Sequence, residues 1–373
     1  MNAAMNRPFS VYLDLVRFAA AVLVYMWHSN QRFLTADKLP ASDYGHSAVI
    51  VFFVLSGFVI AFVTDTKENR LAEFAASRIS RVYSVAAPTL VITIVLDAIG
   101  RSLYPAIYQY PFDQFAVRLL ASLLMLNEVW LISITSFSNV PYWSICFEWW
   151  NYVTFAMVMF LPARVGWLLV AITALVIGPK VVMLAPIWWM GVALYRWRGL
   201  RNLSLPLAWV MASLSIVGLV MFHRYNMMAV AEGWLAALVG PDLTYQLTFA
   251  KRVFADYLLG AIVFANFAAV RRIVEVHGGV LMAIAGPVRF VANYTFSLYL
   301  LHQPLFLFWA AVVQGDPEGS GYWWSVTALT TLSVGVIGFF TETRRHGLRT
   351  RILPMLDRWE KAWALPARST RSC

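Results

Sequence analysis

Charge is scarce in this chain. Asp, Glu, Lys and Arg make up 13% of its 373 residues, where soluble domains carry about 25%, so a water-soluble domain is excluded. Cysteine is nearly absent: Cys146 lies in an apolar run and Cys373 ends the chain, so a disulfide scaffold is excluded. Neither cysteine sits in a redox or metal-ligand spacing, and the six histidines are scattered, so no metal is expected. No G-x-S-x-G, no H-E-x-x-H and no phosphate-binding glycine loop occurs. No Pro- or Ser-rich linker divides the chain.

What is present in excess is apolar and aromatic. Hydrophobic residues reach 60%, with sixteen Trp and sixteen Tyr, a composition suited to a polytopic membrane protein with two interfacial belts. The net charge of +10 is spread through short loops and the C-terminal tail. That pattern fits the positive-inside rule better than a nucleic-acid surface, so no nucleic-acid partner is expected. The first apolar stretch is interrupted by Asp14 and Arg17, which argues against a cleaved signal peptide.

The predicted fold is an all-α polytopic membrane protein of about ten transmembrane helices in one bundle. The spans fall at 10–28, 46–64, 82–99, 142–161, 166–184, 185–199, 206–222, 253–270, 289–313 and 322–341. The stretch 116–134 carries Asn127 and Glu128 and reads as interfacial or re-entrant. With both termini cytoplasmic, twenty Lys and Arg fall inside and eight outside, with Arg17 in the membrane. Residues 1–343 form the membrane domain and 344–373 a basic cytoplasmic tail. Trp359 and Trp363 beside Arg358 and Lys361 suggest a short helix on an anionic leaflet.

Four polar constellations stand out. In the first span, Arg17 and His28 share nearly one helical face, about 16 Å apart along the axis, and Asp14 lies one turn before Arg17. Ionisable groups inside a membrane are costly and usually line an interior or a pathway. A histidine at the outer edge can act as general base on a hydroxyl; its bland reading is an interfacial polar residue beside Trp27. Arg78 and Arg81, three apart, can clamp phosphate oxygens such as those of coenzyme A, or can simply mark a cytoplasmic loop.

The third constellation is Pro141 to Tyr152. It places Glu148 within a span, at a depth expected to match His28, where a carboxylate can orient the imidazole. Trp143 and its aromatic neighbours offer stacking faces to a sugar ring or form an ordinary aromatic belt. The fourth places Tyr299, His302 and Gln303 ahead of Pro304, which frees an upstream carbonyl and permits a kink. Phe52 to Gly57 offers a small-residue site where helices can approach closely. Ser56 within it has no base at local spacing.

These stretches together resemble the acyltransferase-3 family of integral membrane O-acyltransferases. The resemblance rests on Asp14-x-x-Arg17-x10-His28, Phe52-Phe-x-x-Ser-Gly57, Arg78-x-x-Arg81, Trp143-Ser-x-x-x-Glu148 and Ser297-Leu-Tyr-Leu-Leu-His-Gln-Pro304, in the family's order. It implies transfer of an acyl group, usually acetyl, from cytoplasmic acetyl-CoA or another acyl-CoA to a hydroxyl of a cell-surface or exported glycan or glycolipid. The setting it implies is a bacterial inner membrane. On the matching positions His28 and Arg17 are catalytic, assisted by Asp14 and Glu148, and Arg78 and Arg81 hold the donor. His302, Trp143 and Tyr299 are the expected substrate contacts. Two rival classes are a transporter or flippase for a lipid-linked saccharide, which the intramembrane charges also suit, and a non-catalytic scaffold.

Overall fold

A computed structural model describes residues 5–362, and among these every regular element is a helix. Cys373, Trp363, Arg368 and Arg371 lie outside the described residues. Asn6 caps α1 (Arg7–Ser29) by accepting a hydrogen bond from the Phe9 amide at 2.8 Å, satisfying one of the first-turn donors. Next come α2 (Gly45–Lys67), α3 (Leu71–Leu103) and the short α4 (Phe115–Leu123). A largely irregular stretch leads to α5 (Trp143–Phe160), α6 (Ala163–Ile177), α7 (Pro179–Arg196) and α8 (Leu205–Arg224). Helices α9 (Met227–Val239) and α10 (Pro241–Gln246) precede α11 (Val253–His277). The chain ends through α12 (Gly279–Ala283), α13 (Ala285–Ala292), α14 (Thr295–Val313) and α15 (Ser320–Ala362).

Seven helical segments among the described residues are long and apolar enough to cross a membrane: Arg7–Ser29, Ser42–Lys67, Leu71–Leu103, Leu205–Arg224, Thr248–His277, Thr295–Val313 and Ser320–Ala362. Three more helices, α5, α6 and α7, stand where the sequence placed its fourth to sixth spans. They are shorter or more polar because α5 carries Glu148 and Asn151, α7 carries Lys180, and α6 stops early. The break between α6 and α7 falls at Gly178, not at 184–185 as the sequence suggested. Gly178 has φ +79°, a Cβ there would lie 2.6 Å from the Trp130 backbone, and Pro179 opens the next helix. The predicted span 289–313 is likewise two helices, interrupted at Asn293 and Tyr294.

Helix α2 packs along α7, α8 along α11, and α3 along both α14 and α15, while α1 sits between α2, α13 and α14. The α2–α7 seam depends on two glycines. A Cβ on Gly57 would meet the Trp188 carbonyl oxygen at 1.9 Å, and one on Gly191 the Val54 oxygen at 2.0 Å. Lipid supplies no hydrophobic drive between helices, so such close backbone approach is what their attraction rests on.

The irregular stretch after α4 is anchored to α3 and α7. Asp97 of α3 accepts from the Ser138 amide at 3.0 Å and the Ser138 hydroxyl at 2.5 Å, and Lys180 pairs with Glu128 at 2.5 Å. At the opposite end α15 runs through residue 344 without a break. Its extension is pinned to the start of α3: Arg70 pairs with Asp357 at 2.9 Å, and Glu360 accepts from the Leu71 amide at 3.0 Å. A carboxylate at a helix N-terminus satisfies a free amide and opposes the positive dipole end. Residues 344–362 thus continue α15 and brace the start of α3.

Candidate functional site

The Asp14–Arg17 pair forms as its one-turn spacing predicts, with Arg17 Nη1 2.9 Å from Asp14 Oδ1. Arg17 opens onto a cavity of about 70 Å³ enclosed by α1, α2, α3, α5 and α14. Arg81, Glu148, Tyr152 and Tyr299 line it with Ser56 and Ser144. Asp14, Glu148 and Arg81 are all within electrostatic reach of Arg17. The Ser56 hydroxyl donates to Glu148 Oε1 at 2.7 Å, and Tyr152 donates to the same oxygen. Trp188 Nε1 in turn donates to Ser56 at 3.2 Å. Charge and counter-charge from α1, α3 and α5 thus meet at one cavity. The cavity admits a few waters and falls short of the roughly 300 Å³ that small-ligand pockets need, so an acyl arm enters only if the helices part.

Neither His28 nor His302 lines this cavity. They lie together nearer the far end of α1, with ring centroids 5.2 Å apart. His302 is fully buried, and its Nδ1–H donates to the Leu298 carbonyl at 3.0 Å. That bond fixes the tautomer and leaves Nε2 as a lone-pair nitrogen, and Nε2 has no hydrogen-bond partner. Tyr25 and Tyr299 flank the His302 ring at 6.1 and 6.3 Å. Tyr299 also shares a hydrogen bond of 2.6 Å with Ser144 inside the cavity, so one side chain spans from the charged cavity to the histidine pair. Pro304 removes the amide that would bond the Leu300 carbonyl, and Asn139 Nδ2 donates to that oxygen at 2.8 Å instead. This holds α14 just below His302.

Three sequence expectations change here. Glu148 is engaged by Ser56 and Tyr152 beside Arg17, and the two histidines contact one another rather than Glu148. Arg78 and Arg81 are not equivalent: Arg78 is buried and paired with Glu68 at 2.7 Å, with Phe74 and Tyr152 rings under its guanidinium at 5.4 and 5.9 Å. Only Arg81 of the two faces the cavity. Trp143 offers no free face to a sugar, because Phe249 stacks on it at 3.9 Å and 2°. Its edges meet Phe53 and Phe147.

Sequence reasoning set Ser56 aside, read Tyr152 only as an aromatic face and gave Ser144 no role. Tyr152 sits one turn from Glu148, a legible spacing, but Ser56 is 92 residues from its acceptor and has no local signature. It also missed Glu342, which accepts from Ser297 at 3.1 Å and lies near Arg81 and Arg345. The signal available was a carboxylate and two arginines closing an apolar run at Thr341 to Arg345.

No curated protein and no solved structure matches the chain. A family model described as an acyltransferase domain matches residues 10–342, from the first turn of α1 into α15, and with the charged cavity and the motifs in order along that span the chain belongs to the acyltransferase-3 family.

Proposed function

We propose that this membrane acyltransferase is an O-acyltransferase that moves an acetyl group from cytoplasmic acetyl-CoA to a hydroxyl of a cell-surface or exported glycan in a bacterial inner membrane. In this reading ten helices cross the membrane, α1, α2, α3, α5, α6, α7, α8, α11, α14 and α15, with both termini cytoplasmic. Arg81 and Arg17 then lie on the donor side, and His28 lies toward the acceptor side.

The observation that carries the reading is the contact of His28 with the buried His302, joined through Tyr299 to a cavity holding Arg17, Arg81 and Glu148. The acceptor hydroxyl gives its proton to the imidazole of His28, and its oxygen attacks the thioester carbonyl. The carbon–sulfur bond breaks, and the coenzyme A thiolate leaves and takes up a proton. Arg17, held by Asp14 about 16 Å from His28 along α1, lines the path of the donor with positive charge rather than touching the reacting carbonyl. His302 keeps its lone-pair nitrogen directed by the Leu298 bond and positions its neighbour. Arg78 acts at one remove, fixing the helix turn that presents Arg81.

The test is transfer in proteoliposomes with acyl-labelled acetyl-CoA outside the cytoplasmic face and glycan acceptor present. Ester formed in equal amount to coenzyme A released supports the reading. Movement of glycan without donor consumption would show a transporter instead.

A further inference from the structure

A groove of about 1510 Å³ runs beside the histidine pair between α1, α13, α14 and α15. It exceeds the roughly 300–1,000 Å³ of small-ligand pockets. Its wall on α15 extends from Ser320 to Phe340, about 30 Å of helix, the thickness of a hydrocarbon core. Phe18 and Val22 of α1, Leu298 of α14, and Ala328, Leu332 and Gly335 of α15 make its length apolar. Charged groups lie at one end only, where Asp37, Lys38 and Glu318 form the rim with Thr35. These residues come from the segment after α1 and the segment before α15, which is the His28 end of the bundle.

Two side chains partition the groove from the histidines. Tyr25 lines the groove, donates to Thr327 at 2.8 Å and turns its ring toward His302. Trp323 also lines it and reaches Ser29, the residue after His28, at 3.3 Å. The rim has a charge preference. Lys38 is taken by Asp43 at 2.5 Å, and nearby Arg32 donates to the Ala36 carbonyl at 2.6 Å. The rim carboxylates of Asp37 and Glu318 are left to face a ligand. Carboxylates accept hydrogen bonds from hydroxyls and repel phosphate.

We propose that this groove holds the hydrocarbon chain of a membrane-embedded acceptor whose head is uncharged and rich in hydroxyls, delivered past Tyr25 to the histidine pair. The inference rests on the acyl-transfer reading for its purpose but not for its test. A bulk phospholipid would satisfy the apolar length and be disfavoured at the rim.

The experiment uses the full chain in phosphatidylcholine nanodiscs and a dodecyl β-glucoside carrying a diazirine in its chain, with labelled residues mapped by mass spectrometry. Labelling concentrates on α15 around Ala328 to Gly335 and on α1 around Val22. Dodecyl glucoside competes about tenfold or more better than dodecyl phosphate, and Asp37→Asn with Glu318→Gln closes that gap. Gly335→Phe, placed where a Cβ meets nothing within 4 Å, and Ala328→Phe each lower labelling about tenfold by filling the groove. Labelling spread over all lipid-facing helices, equal competition by dodecyl phosphate, or no effect of both filling substitutions would overturn the proposal. Wild type that acylates methyl glucoside as fast as dodecyl glucoside would overturn it too, leaving acyl transfer intact. Wild type that labels here but transfers no acyl group would remove only the acyl-transfer reading.

Discussion

Arg78 and Glu68 are the sharpest point of difference between motif and structure, and removing either charge separates the two roles. The pair is 2.7 Å apart with side chains 6% and 5% exposed, so water does not replace a lost partner. Arg78 Nε and Glu68 Oε2 have no other hydrogen-bond partner, and the Ser77 hydroxyl at 2.8 Å is the one neutral group that remains for the guanidinium. Stranding a buried charge costs about 3–5 kcal/mol. The two rings beside the guanidinium add about 0.5–1 kcal/mol each for Arg78. Arg78→Met and Glu68→Met should therefore each destabilise by about 3–5 kcal/mol, whereas Glu68→Met/Arg78→Met together should return to within about 2 kcal/mol of wild type. Denaturant unfolding in detergent micelles, read as a double-mutant cycle, measures this. Additive losses in the double variant would refute it. So would an Arg78→Met protein of normal stability with a raised Michaelis constant for acyl-CoA, which would make Arg78 a donor ligand.

Gly191→Leu should prevent α2 and α7 from closing, because its Cβ alone would lie 2.0 Å from the Val54 oxygen; loss of monodisperse protein on gel filtration reports it. Asn139→Ala should cost about 1–3 kcal/mol by orphaning the Leu300 carbonyl, and much less when made on Pro304→Ala, whose restored amide satisfies that oxygen. Trp143→Ala should cost about 3–5 kcal/mol in thermal stability as a buried aromatic, with the acceptor Michaelis constant unchanged.

The parts of the site that were legible are local ones. Asp14 and Arg17 are one helical turn apart, so their pairing follows from the period alone. Pro304 announces a freed carbonyl and Gly57 a close approach, because each follows from a missing atom. Their partners, Asn139 and Gly191, were invisible, since both are brought in by tertiary packing rather than sequence neighbourhood. The same limit explains Arg78 and Arg81: helical spacing puts them side by side, and only the fold shows Glu68 turning back from the α2–α3 connection to take one of them. Glu148 was placed in the right helix but assigned to the wrong neighbour, because depth along a span says nothing about which helix faces it. The helix break at Gly178 and Pro179 was not read from the sequence, because the apolar run across them reads as one continuous span.

The most direct test of the central claim is mass spectrometry of surface and lipid-linked glycans from cells making wild type, His28→Ala or no protein. The account predicts a fixed acyl mass increment with wild type that disappears with His28→Ala, while that variant is made in normal amounts and still binds acyl-CoA. Glycan modified at close to the wild-type level by His28→Ala would contradict the account.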